Sequence, residues 1–242
     1  WFEAKTKGLM PSAKAKLKEK WGNMQTLYTS KTRLEKIVDD IILDFSIKSR
    51  LTKGKGNAIL VADSIYSACK YYETFISKGF KKCAIITSYS PNKGDLRTET
   101  VGDDGETETF EKYSIYLKMI GIDPNTHTEN EDVSKKVDEF EKEAKRKFID
   151  EPYNMKVLIV VDKLLTGFDA HPCTYLYIDK SMHDHGLFQA VCRVNRLDED
   201  KDYGYIVDYK QLFGDLSDAM NTYTSENPFA GFDEEDVEGL LK

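Results

Sequence analysis

An α/β fold, a parallel sheet flanked by helices, is predicted by three observations on this 242-residue sequence. Short apolar runs bounded by polar residues recur at Asn57–Ala62 (NAILVA), Lys82–Thr87 (KCAIIT) and Lys156–Val161 (KVLIVV), and such β-branched runs read as strands buried on both faces. Stretches with apolar residues at helical spacing separate them. The first two runs are joined by a segment of helix length, so that strand, helix and strand make a right-handed parallel unit.

Residues 1–30 mix lysines with scattered apolar side chains around Pro11 and Gly22 and read as a connecting arm. From Lys31, the residues Leu34, Ile37, Val38, Ile41, Ile42 and Phe45 recur at spacings of one helix face, predicting an amphipathic helix that ends before the Lys53-Gly54-Lys55-Gly56 turn. After the Asn57 strand, Asp63 or Ser64 can cap a helix whose core stripe is Ile65, Ala68, Cys69, Tyr72 and Ile76 and which Gly79 ends. Ser88–Gly105 is polar, carries Gly94, Gly102, Gly105 and an Asp103-Asp104 pair, and reads as a solvated loop whose spacing misses the calcium-loop pattern. Phe110–Ile120 and Glu131–Phe148 predict two helices, the second mostly charged outside Val133, Val137, Phe140, Ala144 and Phe148. Residues 91–150 are thus a helical excursion inserted before the Lys156 strand.

That strand opens at its carboxyl end into Thr166-Gly167-Phe168-Asp169, the end at which open α/β sheets bind ligands. Thr174–Asp179 is the next strand, Asp184–Arg196 a helix, Tyr203–Asp208 the closing strand and Tyr209–Tyr223 a further helix, broken at Asn227-Pro228. A domain over 31–225 is expected, with 226–242 an acidic tail or the start of a following segment.

Forty per cent apolar and 32 per cent charged residues describe an ordinary globular composition. No run reaches transmembrane length and no charged–apolar–small leader opens the chain, so a cytoplasmic location is expected; Trp1 without a methionine reads as an excised piece. Cys69, Cys83, Cys173 and Cys192 form no Cys-x-x-Cys pair and read as reduced core residues. A net charge of −7 argues against a broad basic surface that coats nucleic acid. It leaves room for a protein that holds DNA phosphates through hydroxyls, backbone N–H groups and a few cations.

At about 100° per residue, Leu187, Ala190, Val191 and Val194 fall on one side of the Asp184–Arg196 helix and Gln189, Arg193 and Arg196 on the other. Two guanidinium forks and an amide suit an anion that needs several donors at once; the plainer reading is a solvated face. Beside Gly167, which lets the backbone approach closely, Thr166 can touch a phosphate and Asp169 can orient the loop or the arginine helix. The plainer reading there is a tight turn with a self-capping aspartate. His171, Cys173, His183 and His185 crowd within fifteen residues, but their spacing matches no common zinc pattern and no metal site is assigned. A phosphate cradle, Gly-x4-Gly-Lys-Ser/Thr after a strand, is missing: Gly54 and Gly56 precede a strand. Asp233-Glu234-Glu235-Asp236 follows no β-run and is no magnesium motif.

Strand, Thr-Gly-Phe-Asp loop, strand, then Gln189-x3-Arg193-x2-Arg196 resembles motifs V and VI of superfamily 2 helicases and translocases. The wording LLTGFDAHPCTYLYIDK, LFQAVCRVNR and YGYIVDY resembles one family in particular, the motor (R) subunit of type I restriction enzymes, strongly across 156–209, fairly across 31–90 and weakly elsewhere. Cys192 stands where superfamily 2 usually has a glycine, and an arginine expected near Ile65, beside the motif IV stretch Ala58–Ser64, is absent. The resemblance implies a RecA-like, P-loop NTPase-type sheet: the second lobe of a motor whose ATP and Mg2+ are held mainly by a first lobe. It implies catalytic contacts from Arg193 and Arg196 to the γ-phosphate, nucleotide contacts from Gln189, Gly167 and Asp169, and DNA contacts from Thr166, Ser64 and Ser88. It implies a whole subunit that pumps double-stranded DNA with ATP and cuts it with a separate nuclease domain, alongside methyltransferase and specificity subunits and no membrane. This stretch by itself is then expected to be inactive. Two other readings stand beside it: the second lobe of another superfamily 2 helicase, and a non-catalytic module whose arginine face binds an acidic partner.

Overall fold

The computed structural model describes residues 31–91, 104–124, 133–182 and 184–210, with the backbone alone for 104–107 and 184–185. The arm 1–30, the loop positions Gly94, Gly102 and Asp103, His183, and the expected helix and acidic tail from 211 onward lie outside the described residues.

Residues 31–47 form helix α1, and Ser49–Thr52 a single turn, α2, set off by the extended backbone of Lys48. There follow β1 (Asn57–Ala62), α3 (Ile65–Ser77), β2 (Cys83–Ile86), α4 (Asp104–Met119), α5 (Val133–Asp150), β3 (Val157–Val160), β4 (Cys173–Asp179), α6 (Asp184–Val194) and β5 (Tyr205–Asp208). Each expected strand and helix within the described residues is present. Several boundaries shift by one or two residues, among them the start of β5, two residues late; the larger difference is that α4 begins at Asp104, inside the expected loop, and the one that bears on the site is that α6 ends at Val194, so Arg196 lies beyond the helix.

All five strands are parallel, in the order β2-β3-β1-β4-β5, the RecA-like α/β arrangement. β1 and β2 belong to one strand–helix–strand unit but are not neighbours, because β3 inserts between them and pairs with both. Side chains alternate across the sheet with a period of two. Ala58, Leu60 and Ala62 join α1, α3 and α4 in one core, while Ile59 and Val61 join α6 and the end of α5 in the other. Of these, each fully buried leucine, isoleucine or valine side chain stabilises the fold by about 1.5–3 kcal/mol. Helix α5 takes part in both cores, with Val133 and Val137 in the first and Ala144 and Phe148 in the second. The excursion therefore wraps the β2 edge and delivers the chain to β3 on the face that α6 occupies.

Candidate functional site

The connection from β3 to β4 decides the geometry. Val160 is level with Val61, which is level with Ile178, whereas Cys173 is level with Asn57 at the other end of the strands. Residues 161–172 must therefore run the length of the sheet, crossing β1 on the α6 face, where Leu165 and Ala170 are buried. The Thr166–Asp169 loop starts at a carboxyl end as expected but does not stay there. Two left-handed residues turn it, Leu164 (φ 74°) and Gly167 (φ 70°). Glycine adopts that conformation freely, whereas leucine gives up roughly 1–2 kcal/mol, which burial of the adjacent Leu165 offsets.

Loop and α6 meet at the arginines. Arg193, half-buried in the last turn, donates from Nη1 to the Phe168 carbonyl at 2.7 Å and from Nε to the Gln189 carbonyl at 3.2 Å. Arg196, on the coil beyond, places Nε 3.4 Å from Asp169 Oδ1. His171 Nε2 lies 3.7 Å from Asp169 Oδ2, and its Nδ1 is 2.7 Å from the Leu197 carbonyl. Leu187, Ala190 and Val194 are buried beneath, with Val191 packed against the same core, as the periodicity required. The structure thus brings Arg193, Arg196, Gln189, Gly167 and Asp169 to one seam, toward the amino end of β4. Asp169 is the carboxylate that faces both Arg196 and His171 in that seam.

Ser64, Ser88 and the root of the loop share the opposite, carboxyl edge. β3 emerges between β1 and β2, so residues 161–163 leave the sheet between Ser64, which follows β1, and Ser88, which follows β2. Both serines are exposed. Ser64 is also the N-cap of α3, its Oγ accepting from the Ser67 amide at 3.1 Å. Thr166 is exposed on the loop between edge and seam. These DNA-type candidates and the arginine seam are two ends of one crossing segment.

Several polar groups at these ends were not singled out from the sequence. Lys163 Nζ donates to the buried Glu141 carboxylate of α5 at 2.6 Å and to the Thr87 carbonyl at 3.0 Å, tying the loop root to the excursion. Lys180 pairs with Asp162 across the same root. Asp179, buried at the end of β4, receives the Arg33 fork (2.7 and 2.5 Å) and the Tyr71 hydroxyl (2.5 Å). Burial, reinforced by the charge of Asp179, holds the Tyr71 phenol well above its ordinary pKa. Lys201 is buried, with its ammonium on the His171 and Cys173 carbonyls, and desolvation lowers its pKa. Of the four histidine and cysteine positions, His171 and Cys173 have described side chains, and these two do not converge. Cys173 lies in the core, where burial pushes its thiol up to about 12, and the His171 ring lies at the surface beside Leu197.

A family model described as type I restriction enzyme subunit R domain 3 matches residues 54–211. The chain is 33% identical, over 186 residues, to the endonuclease subunit of a type I restriction enzyme of Staphylococcus aureus strain COL, covering 71% of this chain and 18% of that protein. It is 31% identical over 218 residues to a putative type I restriction enzyme endonuclease subunit of Methanocaldococcus jannaschii. It is 30% identical over 219 residues to the HindI endonuclease subunit of Haemophilus influenzae; each of these two alignments covers 89% of this chain and 18% of the relative. The chain therefore spans about a fifth of the length of these relatives. With the fold and the loop-to-helix seam in place, these matches establish that the chain belongs to the type I restriction enzyme subunit R family.

Proposed function

We propose that this chain is the second RecA-like lobe of the ATP-dependent DNA translocase in a type I restriction R subunit. One observation carries the reading: Arg193 and Arg196 are seated directly on the Thr166–Asp169 loop, joining in one seam the groups that motor chemistry requires to move together. Arg193 engages carbonyls through Nε and Nη1, and its Nη2 end is the part of the fork that a phosphate would take. Half-buried guanidinium groups keep their charge and give planar, paired donors, so the residues present fit one side of a nucleotide site. ATP with Mg2+ would be held mainly by the first lobe, with Gln189, Gly167 and Asp169 contributing from this one. Bound there, the nucleotide supplies a γ-phosphoryl group whose charge, spread over its oxygens as it leaves, Arg193 and Arg196 would stabilise.

Duplex DNA would lie along the carboxyl edge, where Ser64 and Ser88 offer hydroxyls, with Thr166 on the loop that leads from it, all positioning a backbone without reading sequence. The relatives are restriction endonuclease subunits; cleavage by a nuclease domain of the same chain, and assembly with methyltransferase and specificity subunits in the cytoplasm, complete the proposal. No helix among the described residues is long and apolar enough to cross a membrane.

The test is Arg193→Ala and Arg196→Ala in the full R subunit, with ATP binding and turnover measured separately. Arginine fingers contribute ~10³–10⁵-fold to turnover, so one substitution should remove most of it. Arg196→Lys should rescue poorly, since a point charge does not reproduce the fork. Parental turnover in both alanine variants would refute the motor reading and leave a binding module.

A further inference from the structure

We propose that Arg50 and Lys201 are positioning residues that hold the chain after α6 from behind, keeping Arg196 in place against Asp169. The inference rests on the motor reading and adds to it two groups outside both motifs.

The need arises from where α6 stops. Arg196 sits on coil two residues past the helix, and its neighbour Leu197 is 82% exposed, so apolar burial does not order this stretch. A group that must meet a developing charge has to be fixed to within a fraction of an ångström. Polar contacts do the fixing here. The Arg50 side chain, largely buried, extends from α2, donates from Nε to Thr174 Oγ1 at 3.0 Å and from Nη1 to the Glu199 carbonyl at 2.5 Å, and pairs through Nη2 with the Asp198 carboxylate. Three bonds from one planar fork thus tie residues 198–199 to α2 and the amino end of β4. Lys201 Nζ donates to the Cys173 carbonyl at 2.6 Å and the His171 carbonyl at 3.0 Å. The same residue's backbone N–H closes a tight turn onto the Asp198 carbonyl at 3.1 Å. Asp200 takes a left-handed conformation in that turn (φ 56°) and pairs with Lys55.

Gly56 makes room for this arrangement: a Cβ there would meet Thr174 Oγ1 at 2.7 Å and Arg50 Cγ at 2.9 Å. Asp169 and His171 hold the stretch from the loop side, and Arg50 and Lys201 hold it from the strand side. Arg196 lies between the two sets of contacts.

The test uses the full R subunit assembled with its partner subunits and duplex DNA. Arg50→Met, Arg50→Lys and Asp198→Asn are each made in the parental and Arg196→Ala backgrounds. kcat and KM for ATP are measured, with single-turnover rates in the slow background. Misplacement of about 1 Å can lower a rate ~10²-fold, so Arg50→Met should lower kcat roughly 10- to 100-fold with KM within about twofold, and Arg50→Lys and Asp198→Asn should lose less. In the Arg196→Ala background none of the three should cause further loss, because residues acting through one group are not additive. Equal loss in both backgrounds, or an unchanged kcat in the parental one, overturns the proposal. If Arg50→Met does not fold, Asp198→Asn decides, since it keeps the Arg50 bonds to Thr174 and Glu199. Parental turnover in Arg196→Ala without these substitutions is a different result: it takes Arg196 out of the nucleotide cleft, and together with parental turnover in Arg193→Ala it removes the motor reading itself.

Discussion

Gly204 is the position at which one methyl group should do the most damage. It leads into β5, and a Cβ built there would lie 2.2 Å from the Val194 carbonyl oxygen and 2.8 Å from Val194 Cβ. Real Cβ atoms essentially never approach closer than 3.0 Å, so in Gly204→Ala the carbonyl must retreat by at least the difference, 0.8 Å. That carbonyl is backbone at the last residue of α6, and the Val194 side chain is packed in the core, so the strain has no flexible side chain to absorb it. Overpacking of this kind costs about 1–3 kcal/mol. For chains of 150–250 residues, each kcal/mol lowers Tm by about 2–4 °C, giving an expected fall of about 2–12 °C. Gly186→Ala, near the other end of the same helix, is the control: its Cβ would meet nothing closer than Met182 Cε at 3.9 Å, and replacing a helical glycine by alanine stabilises by up to about 1 kcal/mol. Thermal melts of the 242-residue chain, followed by circular dichroism, compare the two. A Gly204→Ala melt within 1 °C of the parental one, at the precision of ~0.3 °C that such a comparison needs against these magnitudes, would show that α6 does not end against this residue as described.

Lys163→Met should leave the Glu141 carboxylate buried with Lys145 4.0 Å away and cost about 1–3 kcal/mol, whereas the double variant with Glu141→Met should recover most of that; urea unfolding measures both, and an undiminished single variant would contradict the pairing. Burial pushes the Cys69, Cys83 and Cys173 thiols up to about 12, and thiols react as thiolates, so at pH 8 a maleimide should label half-buried Cys192 well before the other three. Peptide mass mapping over time reads this order, and labelling of Cys83 as fast as Cys192 would contradict the core placement. Arg33→Met removes the fork on Asp179 and should loosen α1 from the end of β4, seen as faster amide exchange in residues 34–45 with β1 unchanged.

Strands and helices were legible because their signals are local. A strand buried on both faces must be apolar throughout, as in NAILVA and KVLIVV, and a helix on a sheet must repeat its apolar residues at three and four, as Leu187, Ala190 and Val194 do. The placing of Gln189 and Arg193 opposite that apolar stripe was legible for the same reason, whereas the bond from Arg193 to the Phe168 carbonyl and the position of Arg196 beyond the helix were not. The end of α6 was not, since no glycine or proline stands between Val194 and Leu197 to stop a helix; the helix ends where Gly204 closes on the Val194 carbonyl, a contact made by a later part of the chain. Nor could local pattern show that β3 would insert between β1 and β2, because strand order is chosen by pairing between segments about a hundred residues apart. That choice sends the loop across the sheet, separating Ser64 and Ser88 at one end from the arginines at the other. The clamps on Asp179, Glu141 and Asp198 are also non-local: Arg33, Lys163 and Arg50 are ordinary surface types in sequence, and their roles appear once folding buries each carboxylate, wholly or in part, beside its partner.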